Sequence, residues 1–172
     1  MPRMADVLQS LLQALQDSAP ATAIREGQAL FPWIESVHVL AITLVIGSIA
    51  IVDLRLLWIS SCDRSVRQIT ALALPVTWSA FVVAALSGGL LFSSNATVYA
   101  HNPFMRAKLL LIAAAGLNML VYQWVIGVKA GEWHTPAQTP KRARLAGGLS
   151  LALWIAIVAC GRWIGFTLTT PN

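Results

Sequence analysis

Apolar residues fall in four long runs separated by short polar stretches, and a shorter amphipathic pattern precedes them. In residues 4–18, MADVLQSLLQALQDS, Met4, Val7, Leu8, Leu11, Leu12 and Leu15 recur at the i, i+3, i+4 spacing of one helical face. Asp6, Gln9, Gln13, Gln16 and Asp17 take the other face. Such a segment is too polar to span a bilayer and suits a helix lying in the membrane interface. A helix packed on a partner subunit or on the end of a bundle fits the pattern equally. Pro20 is expected to end this region, because proline disfavours helix in the residue before it.

The four runs cover about 31–59, 70–93, 104–128 and 145–168, each long enough for the roughly 20 residues that a helix needs to cross a bilayer. The expected architecture is an all-α integral membrane protein: an amphipathic interfacial helix within 1–20, then a four-helix transmembrane bundle over 31–168. Pro32 and Trp33 open the first span as helix start and interfacial anchor. Pro75 lies early in the second, where a kink is expected. Gly47, Ser48, Gly147 and Gly148 are small residues that suit close helix approach, and Ser87, Gly88 and Gly89 suit close helix approach or a flat ligand. Trp33, Trp58, Trp124, Trp133 and Trp163 read as interfacial anchors, whereas Trp78 and Trp154 lie deeper.

Composition sharpens the class. The 172 residues are 57% hydrophobic and 11% charged, more apolar surface than a soluble domain of this size covers. The net charge of +5 is spread too thinly to form a nucleic-acid face. The loops after the first and third spans hold Arg55, Arg64, Arg67, Lys129, Lys141, Arg142 and Arg144, against Arg3, Arg25, Arg106 and Lys108 on the other side. The positive-inside rule then puts those loops in the cytoplasm and both termini outside, which is the periplasm if the membrane is the bacterial inner one that the resemblance given below implies. No cleavable signal peptide is read at the N-terminus. Cys62 and Cys160 form no CxxC motif, which argues against a cysteine metal cluster or c-type haem. No nucleophile motif, phosphate loop or dinucleotide fingerprint is present.

The candidate chemistry lies in the first span, where Glu35, His38, Ile42, Ile46, Ile49 and Asp53 share a stripe at 100° per residue. Ionisable groups in a span are costly and usually face protein, water or a ligand. His38 is expected roughly 10 Å from the entry boundary, and Arg162 at a matching depth in the fourth span. Arg106 and Lys108 open the third span, and His101 lies in the loop before it. Three readings follow. In the first, His38 is an axial ligand of haem b, Arg106, Lys108 and Arg162 hold the propionates, and His101 or Met105 is a candidate second ligand. In the second, Glu35 and His38, spaced E-x-x-H, bind copper or zinc with His101 for ion handling or transport. In the third, the chain needs no cofactor: it anchors a partner subunit or a second copy in the bilayer, and a Glu35–Arg162 ion pair pins helix register. Asp53 and Arg55 read as structural, Asn118 as an interhelical hydrogen-bonding residue, and His134 as remote from the cluster.

The runs PWIESVHVLAITLVIGSIAIVDLRLL, SGGLLF, NPFMRAKLLLIAAAGLNM and GRWIGF resemble a family of small four-helix bacterial inner-membrane proteins of unknown function, over most of 31–168. More distantly, a membrane histidine followed by a glycine, with F…K-L opening a later helix, is similar to the copper-resistance D superfamily and to HemJ-like protoporphyrinogen oxidases. That likeness implies copper handling or haem-linked redox work, with His38 as ligand and Lys108 as its basic partner. The chain departs from the HemJ-like pattern in having no second histidine paired with that helix.

Overall fold

The computed structural model describes residues 4–59, 66–126 and 138–169. Arg3, Cys62, Arg64, Lys129, Trp133 and His134 lie outside them. The chain forms α1 (Met4–Gln16), α2 (Ala19–Glu26), α3 (Leu30–Leu56), α4 (Val66–Ser94), α5 (Ala96–His101), α6 (Pro103–Val121) with a π-helical extension (Tyr122–Ile126), and α7 (Lys141–Thr169). Four of these helices are long and apolar enough to cross a membrane, α6 being counted with the start of its extension.

Two expectations change. Pro20 does not end a helix; it sits in the first turn of α2. The missing amide that makes proline a poor interior residue costs nothing there, because first-turn amides have no intrahelical acceptor. The stretch read as a loop before the third span contains α5, so His101 ends a short helix. Pro75 is accommodated inside an unbroken α4.

Local chemistry sets the helix ends. Asn102 caps α6, its Oδ1 accepting from the amides of Phe104 (2.9 Å) and Met105 (3.3 Å), with Pro103 following. Its Nδ2 donates to Thr167 Oγ1 at 2.8 Å, which joins the start of α6 to the end of α7. Arg25 Nη1 donates to Gln16 O (3.1 Å) and Ser94 O (3.2 Å), a cation on the carbonyl ends of α1 and α4. Gln16 Oε1 in turn accepts from Thr97 N and Oγ1, holding α5 against α1.

At the other end of the bundle, α3 stops at Trp58, whose φ of 60° lies in the left-handed region that side chains disfavour. The turn closes with Trp58 N donating to Arg55 O and Ile59 N donating to Leu54 O, the bond pattern of a glycine-type helix stop. The indole is held on two sides: the Arg55 guanidinium stacks 3.6 Å from its ring centre, and its Nε1 donates to Thr139 Oγ1 at 2.8 Å. Trp58 is therefore a fixed part of the helix stop rather than the free interfacial anchor read from sequence. Trp33, Trp124 and Trp163 are exposed, at 71%, 76% and 54%, as anchors in a lipid interface would be.

Packing of the long helices follows the order α4–α3–α7–α6. α3 lies along α4 and touches α7, and α7 lies along α6, whereas α4 and α6 make no comparable contact. Gly147 lets α7 close on α3: a Cβ there would stand 3.2 Å from Leu56 Cβ and 3.3 Å from Asp53 O. Leu56, Val66 and Ala143 form the apolar core at this end. Halfway along α3, buried Ser48 bonds Thr77 of α4 through their hydroxyls at 2.7 Å. Asn118 Nδ2 donates across from α6 to Ala146 O of α7 at 3.0 Å, the interhelical role expected of it. The exposed apolar residues of α1, Met4, Val7, Leu8, Leu11 and Leu15, lie along one face of that helix.

Candidate functional site

Polar side chains inside the bundle form two groups, one toward α5 and one toward Trp58. The first centres on His38, half-buried two turns into α3. Its Nδ1 lies 3.0 Å from Ser87 Oγ on α4. Ser87 has a single hydroxyl proton and already donates at 2.6 Å to Val83 O. With the Ser87 proton on Val83 O, Ser87 accepts from Nδ1–H and neutral His38 is the Nδ1–H tautomer; the Ala84 carbonyl of α4 also acts on the ring. Gly88 makes this seat: a Cβ there would stand 2.7 Å from His38 Cε1, a distance no real side chain tolerates. The glycine read as room for a flat ligand is filled by the imidazole itself. Gly89 has open space around its missing Cβ.

Lys108, partly buried on α6, lies close enough for its charge to act on His38. It rests on α7 at Gly161, where a Cβ would stand 3.5 Å from Nζ, and beside Cys160. His38, Ser87, Lys108 and Gly161 each lie several residues inside the α5 end of their helices, at roughly 10 Å depth. An amine and an imidazole thus share one level of the bundle.

The other residues expected at this level are arranged differently. Arg106 is exposed and its Nε donates to Ala100 O at 2.8 Å, closing the end of α5. Arg162 is exposed over the Phe166 ring, 5.0 Å from its centre. His101 is exposed, its Nδ1 donating to Thr97 O at 2.7 Å. Glu35 is exposed and forms no ion pair with Arg162 among the described residues. Its charge is felt instead at Tyr99 of α5, whose phenol is pushed above its ordinary range by burial first and by Glu35 second. Among the described residues no three His, Cys, Asp or Glu side chains come together to hold a metal ion, so a Glu35–His38–His101 site is not assembled. The long side chains of Arg106 and Arg162 reach the surface, which the linear depth along each helix does not reveal.

The second group was read as structural. Asp53 is 5% exposed, with Ser150 of α7 beside its carboxyl. Among the described residues its Oδ2 has no hydrogen-bond partner, and neither does the buried hydroxyl of Tyr122, the residue that opens the π-helical turn. Both line a cavity of about 70 Å³ between the four long helices, together with Thr70 and Asn118. A second cavity of about 80 Å³ lies between α4 and α6 beside Trp78, Phe81, Ile112 and Trp154. A carboxylate on the helical stripe of the first span is the only sequence signal of the Asp53 site; its partners come from three other helices.

No curated protein and no solved structure matches the chain. The likeness to copper-resistance D and HemJ-like proteins accordingly rests on the residues quoted for it alone. Residues 26–167, from the end of α2 to near the end of α7, match the family model described as a family of unknown function, DUF6644, and the chain belongs to that family.

Proposed function

We propose that this chain is a haem b-binding membrane protein of redox or electron-transfer function, with His38 Nε2 as axial ligand. The observation that carries the reading is the contact of Ser87 Oγ with both His38 Nδ1 and Val83 O, which favours Nδ1–H on His38 and Nε2 as the donor atom. Histidines that ligate metals characteristically give their other ring N–H to such a partner, which fixes ring orientation. Lys108, whose charge acts on His38, is the first candidate partner for a propionate. Arg106 and Arg162, exposed at the same end, are candidates for a propionate that reaches the surface. When bound, the haem would supply one-electron chemistry; the chain's part is to hold the ligand ring, neutralise carboxylates and keep water from the site. Gly88 and Gly161 supply the room that the His38 and Lys108 side chains occupy.

The proposed location is a bacterial inner membrane, on the sequence resemblance, with both termini periplasmic, on the distribution of basic residues. The test is an absorption spectrum of the protein purified in mild detergent from cells supplied with haem, before and after dithionite. A Soret band with sharpened reduced bands, lost in His38→Ala, is expected. A flat visible spectrum would overturn the haem reading and leave ion handling or a membrane-anchor role.

A further inference from the structure

At the opposite end of the bundle, we infer that the cavity around Asp53 is a binding site for a sodium-sized monovalent cation. Asp53 is almost wholly buried, yet Oδ2 has no partner and the residue forms no ion pair among the described residues. A lone carboxylate inside a spanning bundle is costly, and a bound cation removes that cost.

The lining has the polarity a cation needs. Asn118 gives its Nδ2 protons toward Ala146 O, which leaves its amide oxygen as acceptor. Thr70 gives its hydroxyl proton to Val66 O at 2.9 Å, so its oxygen lone pairs remain free. The Tyr122 hydroxyl oxygen is buried and unpartnered, and Ser150 stands beside Asp53. The polar groups named are all oxygen-bearing, drawn from all four long helices, with a single formal negative charge among them. Oxygen donors select hard cations over transition metals. One carboxylate balances one positive charge. The volume of about 70 Å³ has room for an ion together with a few waters.

The test is thermal unfolding of the full-length protein in detergent at fixed pH and ionic strength, in sodium, potassium or choline chloride. Sodium should raise Tm over choline by roughly 3–6 °C at a tenfold excess over Kd. The difference should vanish in Asp53→Asn, which keeps the side-chain shape. Ser150→Ala and Tyr122→Phe should still respond but need more sodium, and they serve as the test if Asp53→Asn does not fold. Equal Tm in sodium and choline would overturn the inference, as would a sodium response that survives in Asp53→Asn. Stability that follows pH but not sodium would overturn it too, making the cavity a proton site. None of these readouts depends on pigment, so the result stands apart from the haem reading.

Discussion

Ser87 Oγ lies 3.0 Å from His38 Nδ1 and 2.6 Å from Val83 O, so a serine on α4 seats the ring of a histidine on α3. Ser87→Ala removes that seat. It should cost about 1 kcal/mol in stability and, on the proposed haem reading, weaken haem binding about 10–100-fold, read by Soret titration of the apoprotein. Ser87→Thr keeps the hydroxyl and should retain most of the affinity. Equal affinity in wild type and Ser87→Ala would show that the serine does not orient a ligand.

Adjacent glycines give a paired experiment. Gly88→Ala places a methyl 2.7 Å from His38 Cε1, whereas Gly89→Ala meets nothing within 4 Å. The first should destabilise by about 1–3 kcal/mol, as overpacking does. The second should be neutral or slightly stabilising, since alanine is the better helix former. Thermal melts of the two variants side by side check the order; equal melts would contradict the seating of the imidazole on Gly88.

Trp58 combines a left-handed backbone with two side-chain attachments. Trp58→Phe keeps an aromatic face for Arg55 and loses only the bond to Thr139, at about 1 kcal/mol. Trp58→Ala loses both attachments and keeps the backbone penalty. Trp58→Gly loses both but removes the penalty, and should be more stable than the alanine variant by about 1 kcal/mol. The expected ranking by helical circular dichroism during heating is Phe, then Gly, then Ala.

Tyr99 provides a pH readout at the α5 end. Burial and the Glu35 charge raise its phenol pKa above the ordinary value, so the fold favours the neutral form. The associated stability is fully present below pH 10 and is lost as pH rises through the raised pKa. Glu35→Gln removes the second cause, and the tyrosinate absorbance of Tyr99 should then appear at lower pH than in wild type. Tyr99→Phe, titrated in parallel, separates this signal from that of Tyr122.

Arg25 joins three elements through two carbonyls, those of Gln16 and Ser94. Arg25→Ala should leave the long helices in place and loosen α1, raising proteolysis near residues 16–20 well before global unfolding. Unchanged protease sensitivity would mean that the Gln16–Thr97 bonds hold α1 on their own.

The four spans were legible in the sequence because bilayer-length hydropathy is a property of consecutive residues. α5 was not, since six residues are too few to show a period. Pro20 was misread because one property, the missing amide, both ends helices and begins them. At the site, common depth along straight helices found the level shared by His38 and Lys108. It said nothing of azimuth, and so counted Arg106, Arg162 and His101 as inward-facing. Asp53 was visible as an ionisable residue in a span, but Thr70, Asn118, Tyr122 and Ser150 are joined to it only by the fold.

The order α4–α3–α7–α6 leaves the bundle like a book bound along the α3–α7 contact, with α4 and α6 as its covers. Swinging the covers apart breaks few contacts between them, while the spine at Gly147 stays closed. The cavity beside Trp78 and Ile112 lies on that open side, between the covers, whereas the two ends are tied by the Asn102–Thr167 bond and the Trp58 stop.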